Sequence, residues 1–210
     1  ASMGLHHIKF YQASSSEMFG KTTIAPQSET TPLNPVSPYG VSKALAHRAA
    51  DRFRKNEGLF IASGILYNHE SPLRPTTFVT RKITRAVASI AAGSKKKLFL
   101  GNLDAVRDWG YAKEYVESMW LMLQKDEPSD YVVATGVGAT VKDFAEAAFA
   151  RAGLNWEDHI EVDKKYIRPT EVDALIGDPT KVVKELKWKA RTHWKELAEL
   201  MVDADMAVKQ

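Results

Sequence analysis

Apolar and polar positions switch repeatedly along this chain between the short runs of buried strands and the three-to-four-residue spacing of amphipathic helices. His7 to Ser14 (HIKFYQAS) is rich in β-branched and aromatic residues and runs into serines, which predicts a buried strand with Ser14, Ser15, Ser16 and Glu17 at its carboxyl end. Lys21 to Pro38 carries Pro26, Pro32, Pro35 and Pro38 among Thr, Ser and Gln; it cannot be a helix interior and is long for a mere connection. Tyr39 to Asn56 then reads as a helix, with Leu45, Ala49 and Phe53 on one face, Arg48, Arg52 and Lys55 towards solvent, and Gly58 as its stop. Leu59 to Leu66 reads as a second buried strand ending in Asn68, His69 and Glu70, so the β-α-β order predicts a parallel pair.

The alternation continues. Helices are predicted over Thr80 to Ala92, Ala112 to Gln124, Val141 to Ala152, Pro179 to Leu186 and His193 to Val208. Strands are predicted over Lys97 to Leu100, Tyr131 to Ala134 and Ile160 to Val162, which makes the fold class α/β with no internal repeat.

Composition narrows the function classes. The 210 residues are 44% hydrophobic, enough for a packed interior. With 29 Lys and Arg against 26 Asp and Glu, the net charge of +3 is too weak a field to argue for nucleic acid. The absence of cysteine excludes a disulfide framework, a thiolate metal site and a cysteine nucleophile, and fits a reducing compartment, with the cytoplasm as the default. No apolar run approaches the ~20 residues that span a bilayer, and the six histidines show no metal spacing, so neither a membrane nor a metal is expected.

Tyr39-Gly-Val-Ser-Lys43 places a phenol and an ammonium four positions apart at the start of a helix, on one face. A lysine ammonium near a phenol stabilises the phenolate, which is what proton exchange with an alcohol oxygen needs during hydride transfer. Alone, this spacing is more often a boundary residue and a solvated charge. Upstream, Ser15 could hydrogen-bond a substrate oxygen and Glu17 could act as a second acid or base, at the strand end where open α/β sheets place ligands. Taken by itself, that serine run followed by Glu reads as a turn with a helix N-cap.

Together, ASSSEMFG, the proline-rich loop with ETTP, and SPYGVSK resemble the catalytic core of the extended short-chain dehydrogenases/reductases. ILYNHESP, FVTRKITRA, LFLGNLDAVRDWGYAKEYVESMWLMLQ, YVVATG, YIRPTEVD and LIGDPTKV, in this order, resemble the GDP-mannose 4,6-dehydratase family over nearly all of Ile8 to Val208. The resemblance implies the C-terminal part of an NAD(P)-binding Rossmann fold plus a smaller α/β substrate-binding domain. Residues 1–68 would be coenzyme domain and 69–210 mainly sugar-nucleotide domain, with about 112–136 returning to the Rossmann sheet.

The implied reaction is internally redox-neutral and belongs to GDP-fucose biosynthesis. NADP⁺ oxidises C4 of the mannose with Tyr39 as base, assisted by Lys43 and Ser15. The ketone acidifies the C5 proton, Glu17 removes it as water leaves C6, and the hydride returns to C6. By the same carry-over Lys43, His69 and Arg74 contact NADP, and Ser16, Asn68, Lys82, Gly101, Arg107, Arg168 and Glu171 contact GDP-mannose. Arginine suits a phosphate because its guanidinium is a planar fork of donors. The resemblance also implies a homo-oligomer, a dimer or tetramer. Two departures stand out: Ser15 replaces the family's usual Thr, and Leu73-Arg74-Pro75 replaces two arginines and a glycine. Without the resemblance, His69 reads as a hydrogen-bonded structural residue, Arg107-Asp108 as a surface ion pair and Lys95-Lys96-Lys97 as a solvated face.

A Rossmann domain seats its pyrophosphate on a glycine fingerprint after the first strand, and none follows a strand here. Gly136-Val-Gly138 reads as a plain turn. The family carries roughly a hundred or more residues, a set of β-α units, ahead of this chain's start. The chain is therefore expected to be a fragment, inactive alone, with an unpaired strand edge and an apolar face. The alternatives are another nucleotide-sugar dehydratase or epimerase, or a non-catalytic GDP-sugar-binding remnant.

Overall fold

The computed structural model describes residues 4, 6–166 and 174–208. In chain order its main elements are β1 (Phe10–Ser15), α1 (Pro38–Glu57), β2 (Ile61–Leu66), β3 (Asn68–Glu70), α2 (Val79–Ala91), β4 (Leu98–Leu100) and β5 (Val106–Tyr111). They continue with α3 (Ala112–Gln124), β6 (Asp130–Val133), β7 (Gly138–Thr140), α4 (Val141–Arg151), β8 (Ile160–Val162), β9 (Ala174–Leu175), α5 (Thr180–Leu186) and α6 (Trp194–Ala207).

β1, β2 and β6 form a parallel sheet in the order β1-β2-β6, with Ser14 beside Ile65 and Leu66 beside Val133. Every residue of the central strand β2 is buried, which a parallel strand covered on both faces requires. On one face Ile65 and Val132 meet Ala44 of α1 with Met18 and Phe19; on the other Ala62, Leu66 and Val133 meet Tyr115 and Met122 of α3 and Val182 and Leu186 of α5. α1 begins at Pro38, one residue before the predicted Tyr39. Ser37 caps it, accepting from the Gly40 N–H at 3.0 Å, Pro38 fills the first turn, and Gly58 ends it at φ 62°.

The second layer is built around β5, which pairs parallel with β3 and β9 and antiparallel with β7; β4 and β8 form a separate parallel pair. Helices α2, α4 and α6 enclose a core of Ile83, Val87, Trp109, Phe144, Phe149 and Met201. Buried Asp205 joins α6 to α2 by pairing with Arg81 and accepting from the Thr84 hydroxyl at 2.7 Å.

Four short strands escape the sequence reading. β5 (VRDWGY) has no apolar run because its central Asp108 is buried as an acceptor, and β3, β7 and β9 are three residues or fewer. Gly138, expected in a plain turn with Gly136, opens β7 and pairs with Asp108; only Gly136, at φ 78°, has the turn conformation.

The face of α1 also departs from expectation. Leu45 and Phe53 are 63% and 50% exposed, while Gly40, Ala44 and Ala50 are buried. Small residues let the helix approach the sheet closely, and the partly buried polar side chains of His47 and Arg54 find partners beneath it. The outer edge of β1 has no partner strand among the described residues, and a groove of about 820 Å³ runs along it, lined by Ile8, Phe10, Ala46, Ala49, Phe53 and Phe60.

Candidate active site

The four residues expected to do chemistry collect around the carboxyl end of β1. After Ser15 the chain turns through a short 3-10 segment, Ser16–Met18, which Ser15 caps by accepting the Glu17 N–H at 3.3 Å. The N-cap reading of this serine run is therefore met, and Ser15 and Ser16 are both buried. The first turn of α1 lies against this segment: a Cβ on Gly40 would stand 2.6 Å from the Glu17 carbonyl oxygen, so glycine is what allows the approach. Tyr39, one residue before, is 53% exposed. Lys43 reaches back from the next turn, its ammonium 5.7 Å from the Tyr39 ring centroid and donating to the Ala13 carbonyl at 3.0 Å.

The proline-rich loop is anchored by residues that sequence reasoning did not single out. Buried Gln27 accepts from the Tyr67 hydroxyl (2.8 Å) and the Ile176 N–H (3.1 Å), and its backbone pairs with Ile176 and Asp178. Glu29, in the ETTP tetrad, accepts the Val132 N–H at 2.7 Å on the β6 edge that β2 does not use. The signals in the sequence were the length of the loop and, for Glu29, the ETTP tetrad.

Asn68, His69 and Arg74 follow the crossing from β2 into β3. His69 Nδ1 lies 2.8 Å from the Tyr67 carbonyl, and its ring stacks on Tyr115, 5.5 Å away at 25°. A neutral imidazole held this way donates from Nδ1, leaving Nε2 as an acceptor. Arg74 Nε is 3.2 Å from Glu70 Oε2, and the guanidinium lies 3.6 Å from the Phe78 centroid. Glu70 is itself buried and accepts the Thr80 hydroxyl at 2.6 Å, so the carboxylate that holds the arginine is itself fixed.

Arg107 lies on β5 two residues before Trp109, the register partner of Asn68, and donates to the Val106 carbonyl at 2.8 Å. Asp108 is not in a surface ion pair. It is fully buried, accepting from the Thr135 N–H and hydroxyl and from the N–H groups of Gly136 and Gly177, which ties β5 to the end of β6 and to the segment after β9. Burial pushes its carboxyl above the usual carboxylate range against the pull of those donors.

Lys82 and Gly101 belong to a different neighbourhood, around β4. Lys82 donates to the Phe99 carbonyl and sits 3.9 Å from the Tyr166 ring centroid, and burial together with Lys165 holds its ammonium below the usual lysine range. These contacts involve none of the residues around β1. Arg168 and Glu171 lie outside the described residues. Lys95, Lys96 and Lys97 are exposed, and Lys97 donates to the Asp158 carbonyl.

A parallel sheet whose carboxyl edge presents Ser-x-Glu beside a Tyr-x-x-x-Lys helix defines an extended short-chain dehydrogenase/reductase. RMD from Pseudomonas aeruginosa, solved with NADPH, superposes with a TM-score of 0.87 at 20% identity, covering 98% of this chain and 69% of that one. The GDP-mannose 4,6 dehydratase profile matches residues 1–201, and the chain belongs to that family. It is 56% identical over 199 residues to GDP-mannose 4,6 dehydratase 1 of Arabidopsis thaliana, covering 95% of this chain and 55% of that protein. It is 50% identical over 219 residues to GDP-mannose 4,6 dehydratase of Homo sapiens, covering 96% and 59%. The chain thus spans little more than half the length of these relatives.

Proposed function

We propose that the chain supplies the catalytic and sugar-nucleotide-binding machinery of an enzyme that converts GDP-mannose to GDP-4-keto-6-deoxymannose, a lyase reaction in a route to GDP-fucose. The observation that carries this is the packing of Gly40 on the Glu17 carbonyl, which seats the Tyr39 and Lys43 helix against the Ser15–Glu17 turn. Tyr39 takes the proton from the C4 hydroxyl, and Lys43 holds positive charge beside the developing phenolate. Ser15 orients the oxygen at C4, and Glu17 removes the C5 proton and passes one to the departing C6 oxygen. A plain epimerase has no elimination to catalyse, so Glu17 favours a dehydratase.

NADP fits the residues present at its nicotinamide end only, and when bound it supplies the hydride acceptor and donor. Lys43 and the acceptor Nε2 of His69 suit the ribose and ring substituents, and Arg74 suits a phosphate. No glycine fingerprint in this sequence seats the pyrophosphate. On the sugar-nucleotide side, Lys82, Arg107 and Arg168 supply charge for the diphosphate, while Ser16, Asn68, Gly101 and Glu171 supply hydrogen bonds.

We assign residues 1–68 and about 112–136 to the coenzyme side and the rest of 69–210 mainly to the substrate side, with α5 packed on the parallel sheet. Exposed Leu45 and Phe53 on α1 and Val116 and Trp120 on α3 support a homo-oligomer, and the cysteine-free composition supports a cytoplasmic setting.

The test mixes this chain with the N-terminal coenzyme segment of the Arabidopsis relative and follows the keto product from GDP-mannose and NADP⁺. Turnover lost on Tyr39→Phe supports the reading; full turnover by that variant overturns it. A second reading is a sugar-nucleotide-binding remnant without turnover. Calorimetric binding of GDP-mannose, with no turnover by the mixture, would select it.

A further inference from the structure

His47, on the inner face of α1, spans from the strand that leads into Ser15 to the start of β6. It stands one turn beyond Lys43 and two beyond Tyr39, on the same stripe. Its Nδ1 is 2.9 Å from the hydroxyl of Ser14, the residue before Ser15, and its Nε2 is 3.8 Å from Oδ2 of Asp130 at the start of β6. Ser14 is 3% exposed and the His47 side chain 12% exposed, so neither has much water to fall back on. Among the described residues β1 has one strand neighbour, and its carboxyl end and the turn after it meet α1 through the Lys43 bond to Ala13, the packing of Gly40 on Glu17, Ala44 against Met18 and Phe19, and this contact.

We propose that His47 is a positioning residue: as the neutral imidazole it accepts a hydrogen bond from the Ser14 hydroxyl and so locks Ser15 and Glu17 in place against Tyr39 and Lys43. This rests on the catalytic roles proposed above. The tautomer follows from the neighbours, because the Asp130 carboxylate favours a hydrogen on Nε2 and leaves the Nδ1 lone pair to Ser14. Protonation places a hydrogen on Nδ1, and the Ser14 hydroxyl must then turn round from donor to acceptor. The charged groups facing the ring are Asp130 of β6 and, on α1, Arg54, Asp51 and Arg48. Burial, partly offset by Asp130, holds His47 below the usual histidine range, so the locked form is the one present at neutral pH.

The test uses the full 210-residue chain, isotopically labelled, in a pH titration from about 8 to about 5, the span in which histidine changes charge. The Ser15 and Glu17 amide resonances should move with the midpoint of the His47 ring, apart from any movement that Glu17→Gln removes. His47→Asn keeps an acceptor near the Nδ1 position but cannot titrate: it should leave both amides near their wild-type positions at pH 8 and abolish the His47-linked movement. His47→Leu should displace both amides already at pH 8. Amides that ignore the His47 midpoint in the wild type, or that titrate alike in His47→Asn, overturn the proposal; should His47→Leu fail to fold, the Asn variant decides. GDP-mannose binding, measured separately by calorimetry at pH 8, distinguishes the failures. No binding with intact coupling sinks the functional reading alone, and binding without coupling sinks this one.

Discussion

Lys43 on the second turn of α1 donates to the carbonyl of Ala13 on β1 across 3.0 Å. The bond holds the ammonium beside the Tyr39 ring and ties helix to strand two residues ahead of Ser15. A cation that closes a backbone contact of this kind serves both placement and charge.

In the mechanism proposed above, replacing Tyr39 by Phe removes the general acid/base while keeping the ring. In the reconstituted enzyme, formation of the keto product should fall by about 10²–10⁴-fold. Thermal stability should hardly change, because the side chain is half exposed. Product formation and melting temperature, measured on the same preparation, check the pair of expectations.

Asp108→Ala should be among the most damaging single changes. It orphans the N–H groups of Thr135, Gly136 and Gly177 and leaves the Thr135 hydroxyl only the Val137 backbone, and the cost should be about 3 kcal/mol or more. Urea denaturation reads this directly. A loss below about 1 kcal/mol would show that the clamp between the two layers is dispensable.

Acid should weaken the fold partly through Asp130. Burial pushes this carboxyl up, but the two Arg54 hydrogen bonds and the charges of Arg54 and His47 outweigh it and leave it below the usual range. A carboxyl depressed by folding contributes stability that is fully present above its unfolded value and is lost as pH falls through the folded one. Stability of the wild type should therefore decline below about pH 4, and Asp130→Asn should lower stability at pH 7 and flatten that decline. Denaturation midpoints between pH 7 and pH 3 provide the comparison.

Gly64→Ala on β2 would place a Cβ 2.4 Å from the Tyr11 hydroxyl oxygen, which is buried and has no hydrogen-bond partner. The substitution should cost about 1–3 kcal/mol. Tyr11→Phe alone should be nearly neutral, and combined with Gly64→Ala it should recover part of the loss. A double-mutant cycle in urea measures the coupling.

Leu45→Glu and Phe53→Glu should change folding stability by no more than about 0.5 kcal/mol, because both side chains lie in solvent. They should also reduce self-association in sedimentation experiments, where the wild type presents an apolar stripe.

The order of strands and helices was legible because the periods of burial differ: β2 lies in a mostly apolar run that is buried throughout, and α1 ends at the Gly58 that its sequence offers as a stop. The Tyr39 and Lys43 pairing was legible too, since four residues are about one helical turn wherever the helix sits. The sequence could not say which side of α1 faces the sheet. Its apolar stripe is outside and its inner face is small and polar, because close approach and paired charges decided the docking rather than the count of large side chains. Nor could it show that Asp108 is a buried clamp, that His47 spans Ser14 and Asp130, or that Gln27 ties a loop to a strand 149 residues away. Local spacing determines elements because backbone geometry is the same everywhere; partners distant in the chain are chosen only when those elements pack, since a polar group is satisfied by whatever the fold brings beside it.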